Sequence, residues 1–311
     1  YTKCVVNNTQ SKLVANIHDV LIKCGIKDGM TLGFHHHFRE GDYIVNMVME
    51  EVHKMGIKDI TICASSLGKA HDPIVPYIED GTITADAAKI GYVGAFPFAE
   101  VISGFTSFFL GARSQCPSVT MEVRYTNSWA DMALEKETAE ALIADGCVLI
   151  SQHADTTGAP SACEAAGVPC VGYNISMLPV APNTALTSAA GDWGAYVTYA
   201  VKCLIDGEEI DRDWCKGYAE GAVYTTELND SIVAPGTAEK VAELEAGFKA
   251  GTVKVFDTSA FTVNGETLTS YTTAYGLDGI EMVSDGEFHE SSVRSAPYFD
   301  ILIDGITAVV E

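Results

Sequence analysis

Aromatic rings and neutral or acidic hydrogen-bonding groups follow five successive predicted strands. The side chains are Phe96, Asn127, Trp129, His153, Asp155, Asn174, Asp192 and Trp193. Aromatic faces can sandwich a flat ligand while amide and carboxylate groups bond its ring nitrogens or sugar hydroxyls. The same strand ends offer no nucleophile paired with a base, no glycine-rich phosphate loop and no group of cations. The pattern therefore predicts a site for a flat, polar, uncharged molecule, with no catalytic residue, cofactor or metal ion.

Each of these side chains also has an ordinary structural interpretation. Either tryptophan could be a core residue, and His153 alone is more typical of a structural histidine. Asp155 and Asp192 could each cap the helix that follows, because aspartate is common at helix starts. The agreement of five consecutive strand ends favours the binding interpretation.

Alternating strands and helices place these residues. In the second part of the chain, strands are predicted at 90–96, 119–126, 147–152, 169–173, 185–188 and 221–224. Helices are predicted at 99–114, 132–145, 158–166, 193–206 and 237–250, several of them ending at a glycine. In the first part, strands at 30–34, 59–64 and 82–84 alternate with helices at 43–55 and 71–79. Such alternation predicts an α/β fold with parallel sheets flanked by helices, in which ligands bind beyond the carboxyl ends of strands.

Charge limits the kind of partner. The 311 residues carry a formal net charge of −23, which repels phosphate backbones and anionic lipid surfaces. We therefore expect no nucleic-acid partner. The segment after Tyr1–Cys4 is not apolar, so we expect no signal peptide within this chain. Nine dispersed cysteines without a CxxC pair indicate neither a disulfide framework nor a structural zinc site.

The composition changes near residue 85. Residues 1–85 carry 8 basic and 10 acidic side chains, whereas the rest of the chain carries 11 and 32. Six of the eight histidines precede residue 85, and all three tryptophans follow it. The difference indicates two origins or two domains, and we predict domains at 1–85 and 86–311, with the join near Ala85–Asp86.

Motifs distributed from about residue 86 to the carboxyl terminus resemble the basic membrane protein family. They are KIGYVGAFP at 89–97, YTNSW at 125–129, SQHAD at 151–155, VGYN at 171–174 and GDWG at 191–194, with DGEFHE at 285–290 and SAPYFD at 295–300 near the end. Members of that family are lipoproteins and periplasmic proteins that deliver purine nucleosides or nucleobases to ABC importers. One departure is Ala130-Asp131-Met132, where members often show Phe-Asp-Pro.

The resemblance implies a type I periplasmic-binding fold, with two α/β lobes joined by crossing strands. It implies that Trp129 stacks on the ligand and that His153, Asp155, Asn174, Asp192 and Trp193 lie at polar contact positions. It also implies reversible capture of a purine nucleoside or nucleobase, an ABC-transporter permease as partner, and an extracytoplasmic location, either membrane-anchored or periplasmic.

Residues 1–85 resemble a different family. KDGMTLGFHHHFREGD at 27–42, NMVM at 46–49 and ASSL at 64–67 are similar to the α subunit of citrate lyase, a cytoplasmic acyl-carrier-protein transferase. Of the three adjacent histidines, at most His35 and His37 could share a metal ion, because neighbouring side chains on extended backbone alternate sides. We interpret the triplet as lining an anionic-ligand site instead.

Three hypotheses follow for the whole chain. The first is a purine receptor for an importer, which is not an enzyme. The second is a citrate and acyl-carrier transferase subunit. The third is a chimera that folds but binds no ligand because the first-lobe contacts of the resembled family are missing.

Overall fold

Two compact units, Tyr1–Ala87 and Ala88–Glu311, make up the chain in a computed structural model. The structure describes residues 14–34, 43–64, 69–83, 88–273 and 279–309. The histidine triplet and the predicted join at Ala85–Asp86 lie outside the described residues. The predicted domain boundary stays a prediction.

The first unit contains a small parallel sheet with helices. Its elements are α1 (Ile17–Cys24), β1 (Thr31–Phe34), α2 (Ile44–Lys54), β2 (Thr61–Ala64), a 3-10 helix (Lys69–Ile74) and α3 (Val75–Glu79). β1 and β2 pair in parallel, and Ile60 forms a single parallel bridge with Ile83 in place of the third strand predicted at 82–84. α1 was not predicted. The apolar faces of α1 and α2 are buried through Leu21, Val45 and Met49, which gives this unit its own core.

The second unit is built on a seven-stranded sheet. Its strands and helices are β3 (Lys89–Gly94), α4 (Ala99–Gln115), β4 (Thr120–Tyr125), α5 (Met132–Ala144), β5 (Leu149–His153), α6 (Gly158–Ala166), β6 (Cys170–Tyr173), β7 (Ala185–Gly191), α7 (Trp193–Asp206), β8 (Val223–Thr225), α8 (Thr237–Ala250), β9 (Val283–Ser284), β10 (Glu287–Phe288) and β11 (Ile306–Val309). The strand order is β11-β4-β3-β5-β6-β7-β8, parallel except that β8 runs antiparallel to β7. The predicted α/β class, with a mainly parallel sheet flanked by helices, is confirmed.

Both faces of this sheet are covered, and β3 shows why. Ile90 and Tyr92 point into a core with Phe105 of α4 and the aromatic residues of the carboxyl-terminal segment. Val93 points into a second core with Leu142 of α5. Because successive strand residues face opposite sides, a strand with helices on both faces is apolar at nearly every position.

Left-handed glycines end several helices as predicted. Gly167, Gly207 and Gly251 have φ of 70°, 71° and 66° and cap α6, α7 and α8. Among the cysteines, Cys147, Cys163, Cys170 and Cys203 are buried free thiols, whereas Cys24 and Cys215 are exposed. Within the described ranges no helix has the length and apolar character needed to cross a bilayer.

Candidate functional site

The register of the strands brings the predicted site residues to one edge of the sheet. Gly94, the last residue of β3, pairs with Tyr125 of β4 on one side and with His153 of β5 on the other. Tyr173 of β6 pairs with Ala189 of β7. Because these strands are parallel, the segments that follow them all emerge at the carboxyl edge, where such sheets bind ligands.

Five rings in successive contact lie along this edge. Phe96 and Phe98 are stacked with centroids 5.1 Å apart, and Trp129 lies 5.7 Å from the Phe96 ring. Trp129 meets His153 edge to face at 6.3 Å, and His153 lies 4.3 Å from Tyr173. We call Phe96, Phe98, Trp129, His153 and Tyr173 the aromatic patch. Its rings offer flat apolar faces beside the polar groups of the neighbouring loops.

His153 is held without charge inside the patch. The backbone of Gly104 in α4 is so close that an added Cβ would lie 2.6 Å from Nδ1 of His153. Nδ1 is buried and has no hydrogen-bond partner among the described residues. Burial lowers the pKa of His153 to about 4, so its imidazole is neutral at neutral pH. The ring therefore contributes a polar aromatic surface rather than a cation.

A carboxylate and an amide are paired next to the patch. Asn174 donates from Nδ2 to Oδ1 of Asp155 over 3.1 Å, and Asp155 donates its backbone N–H to the Trp129 carbonyl over 2.7 Å. Asn174 adopts a left-handed conformation with φ of 66°, which asparagine tolerates better than most residues. Both side chains are exposed, so their remaining acceptor positions are accessible to a ligand. Asp155 does not cap α6, whose N-cap is Thr157.

A cavity of about 840 Å³ continues from the pair along the ends of β6 and β7. Tyr173, Asn174, Asp192 and Trp193 all line it. Asp192 is the N-cap of α7, accepting the Gly194 N–H at 2.7 Å, so its capping interpretation is confirmed. Trp193 is 79% exposed and is therefore not a core residue. The volume lies within the range of pockets that hold drug-sized molecules.

The residues predicted from the strand ends do not include those that line the rest of this cavity, its far wall. The aromatic and basic residues of this wall are Tyr196, Arg212, Trp214, Lys216, Tyr218 and Tyr224. Trp214 is fixed by ring contacts with Tyr196 at 5.4 Å and Tyr199 at 6.0 Å. Most of this wall comes from α7 and from the irregular segment between α7 and β8. The clustering of Trp214, Cys215 and Lys216 after the end of α7 was the available sequence signal, but it follows no predicted strand.

The structure thus connects most of the predicted residues. Phe96, Trp129 and His153 share the aromatic patch, Asp155 and Asn174 form the adjoining polar pair, and Asp192 and Trp193 join Asn174 in the cavity wall. Asn127 is exposed with φ of 54° at the same edge, outside the patch and outside the cavity lining. The described residues include no group of three or more His, Cys, Asp or Glu side chains placed to hold a metal ion.

A mainly parallel α/β sheet whose carboxyl edge gathers rings, an amide–carboxylate pair and an open cavity is an arrangement typical of proteins that bind small molecules. The chain belongs to the family described as ABC transporter substrate-binding protein PnrA-like, whose sequence model matches residues 81–255. A purine-binding protein of Brucella abortus is 34% identical over 180 residues, which cover 57% of this chain and 51% of that protein. The chain thus spans about half the length of this curated relative. A solved ABC-transporter solute-binding protein from Conexibacter woesei is 15% identical, with 76% of this chain and 90% of that chain covered and a TM-score of 0.44.

The amino-terminal part matches a second family. The model of the citrate lyase α subunit matches residues 10–105. The citrate lyase α chain of Escherichia coli is 48% identical over 92 residues, which cover 30% of this chain and 18% of that protein. Both predicted resemblances are confirmed, and the chain joins segments similar to two different families. The two matches overlap at residues 81–105, around the predicted join.

Proposed function

We propose that this chain is a substrate-binding component of an ABC importer, located outside the cytoplasm, that reversibly binds a purine nucleoside or nucleobase. The observation that carries the proposal is the Asp155–Asn174 pair beside the aromatic patch. A carboxylate and an amide together offer the acceptors and donors that purine nitrogens and ribose hydroxyls need, while the rings cover the flat base. The name of the Brucella relative supports a purine as the ligand.

The charge of the cavity favours an uncharged ligand over a nucleotide. Four carboxylates line it, from Glu100, Asp192, Asp211 and Asp213, against two cations, from Arg212 and Lys216. Most of these groups are exposed, so solvent and salt weaken their electrostatic effect. The net charge of the lining is nevertheless negative and repels a phosphate group. We expect adenosine to bind more tightly than adenosine monophosphate.

The first test is thermal unfolding of the whole chain with and without adenosine, guanosine, inosine, adenine and citrate, followed by calorimetric titration. A ligand that binds only the native state raises the unfolding midpoint in proportion to the logarithm of its concentration. A shift with a purine supports the receptor function. A cooperative transition that no purine moves contradicts it and favours a folded chain without a ligand.

Two variants test the site itself. Trp129→Ala and Asn174→Gly each remove one contact commonly worth about 1–3 kcal/mol, or roughly 5–150-fold in affinity. Glycine at 174 keeps the left-handed backbone and removes only the amide. Asn264→Gly is the matched control, because Asn264 also has positive φ (54°) but lies in a distant turn. Full affinity in both Trp129→Ala and Asn174→Gly contradicts the site assignment.

The amino-terminal match supports one alternative, a citrate and acyl-carrier transferase activity. It predicts consumption of citrate when the acyl-carrier partner and the remaining components are supplied. An absence of turnover in the complete mixture, together with a purine-induced midpoint shift, rejects it.

A further inference from the structure

Glu135 is a carboxylic acid enclosed by protein beneath the candidate ligand site. Its side chain is 0% exposed in the first turns of α5. Its Oε2 accepts the backbone N–H of Thr156 over a long 3.3 Å, and its Oε1 makes no hydrogen bond of standard geometry to any described residue. A buried acid whose single hydrogen bond of standard geometry is long is costly when ionised, and such groups are candidates for a functional role.

The segment above Glu135 is the loop of residues 154–157, between β5 and α6. It sits directly on α5, since a Cβ on Gly158 would lie 2.4 Å from the Met132 carbonyl oxygen and 2.9 Å from Cβ of Glu135. Gln152 holds the loop from its other side, donating from Nε2 to the carbonyls of Ala154 and Thr156, each at 2.9 Å. Glu135 and Gln152 thus hold the N–H and the C=O of Thr156 respectively.

This loop carries Asp155, so its seating decides where the ligand-facing carboxylate lies. Asp155 is bonded to Asn174 through its side chain and to Trp129 through its backbone. A shift of the loop away from α5 would break both bonds together. Glu135 is therefore linked through one short backbone segment to three of the predicted ligand contacts.

The surroundings of Glu135 favour its neutral form. Burial raises its pKa, the Thr156 hydroxyl and the backbone N–H groups of Thr156 and Asp131 oppose this, and the Asp155 carboxylate raises it further. The charged group acting on it is the Asp155 carboxylate on the loop, whereas the Asp131 side chain caps α5 by accepting the N–H groups of Ala133 and Leu134 at 3.1 Å. Lys136, next in sequence, is paired with Glu140 at 3.8 Å. The start of α6 supplies no titratable group in residues 158–161.

We propose that Glu135 is a positioning residue whose protonated form seats the 154–157 loop and with it the Asp155–Asn174 pair. The inference rests on the proposed purine-binding function. When Glu135 ionises, its carboxylate needs water, and water reaches it only if the loop lifts from α5. Ligand capture therefore weakens as the pH rises through the titration of Glu135.

Calorimetric titration with adenosine across pH 4.5–8.5 tests this coupling. A single linked proton lowers the affinity of the native protein by up to about tenfold per pH unit. In Glu135→Gln the side chain is neutral at every pH, and its amide oxygen still accepts the Thr156 N–H. The adenosine affinity of this variant should therefore not change with pH through this titration, and it should equal the affinity of the native protein at low pH. Glu135→Ala should bind weakly at every pH. Glu140→Gln, an exposed change on the same helix, is the control and should follow the native profile.

Hydrogen exchange without any ligand keeps the inference separate from the purine proposal. Peptides covering 152–158 should lose protection with rising pH in the native chain, beyond the intrinsic pH effect on exchange, and keep it in Glu135→Gln. If the exchange data give this result but adenosine does not bind, the purine proposal is overturned and the role of Glu135 in seating the loop is kept. The same protection profile in both proteins, or the same pH slope of affinity, overturns the inference.

Discussion

At the scale of single residues, burial changes the chemistry of the candidate site more than sequence neighbours do. His153 and Glu135 are both ionisable in water, and both are pushed towards their neutral forms by the protein around them. The site at the carboxyl edge is therefore less charged than its composition indicates. This suits a flat ligand that is polar but uncharged.

His153 makes the stability of the chain pH-dependent. Its pKa is about 4 in the folded protein, against an ordinary value of about 6.5 in the unfolded chain. Protonation of His153 therefore favours the unfolded chain over the folded one. The fold keeps its full stability above pH 6.5 and loses this part of it as the pH falls towards 4. The lost free energy is about 3 kcal/mol.

The measurement is the urea unfolding free energy of the native chain and of His153→Gln between pH 7.5 and 4. The native chain should lose more stability than the variant over this interval. His289→Gln, which changes a partly exposed histidine in the same unit, serves as the control and should behave like the native chain. Equal losses in the native chain and in His153→Gln contradict the assignment of a buried, neutral ring.

At the scale of elements, close packing between α5 and the start of α6 constrains the candidate site. The approach of the α6 start to the first turn of α5 leaves no room for a side chain on Gly158. The atom nearest to an added Cβ would be the carbonyl oxygen of Met132. This oxygen belongs to the backbone of α5 and cannot move aside as the end of a flexible side chain can. The loop of residues 154–157 is thus positioned by this packing on α5 together with its hydrogen bonds to Gln152, Glu135 and Trp129.

We expect Gly158→Ala to lower the unfolding free energy by roughly 1–3 kcal/mol, the usual cost of overpacking, and to weaken purine binding through the displaced loop. Gly111→Ala is the matched control, because a Cβ on Gly111 in α4 meets nothing within 4 Å. Alanine there should be neutral or slightly stabilising, by up to about 1 kcal/mol. Denaturant unfolding and adenosine titration measure both effects, and equal behaviour of the two variants contradicts this packing.

At the scale of the whole molecule, two units with separate cores predict two unfolding events. Met49 is fully buried in the first unit, and Leu142 is fully buried in the second. Met49→Ala and Leu142→Ala should each cost about 2–5 kcal/mol of local stability. In scanning calorimetry each variant should lower a different transition, and adenosine should raise only the one that Leu142→Ala lowers. A single transition lowered by both variants contradicts independent units.

The sequence alone located most of this architecture. Helices α4 to α8 were predicted to within one residue at each end. Asp131, Asp192 and Gly236 directly precede α5, α7 and α8, and glycines directly follow α6, α7 and α8. The predicted strand at 90–96 ends at Gly94, and the one at 185–188 extends to Gly191. Strand ends are less certain because hydrogen bonding to neighbours, rather than local pattern, decides them. β11 was not predicted, since its place beside β4 depends on a pairing with residues almost two hundred positions earlier.

For the site, the sequence by itself determined which residue types stand at the strand ends, because parallel strands with short connections must present their following residues at one edge. It also determined that the chain joins segments similar to two families. Only the tertiary structure decided which of these residues touch, that Asp192 caps a helix while Asp155 pairs with Asn174, and that Trp214 faces the same cavity. It also decided that Glu135, an unremarked helical glutamate in sequence, is buried against the loop of residues 154–157. Burial and pairing arise from segments far apart along the chain, and no local pattern encodes them.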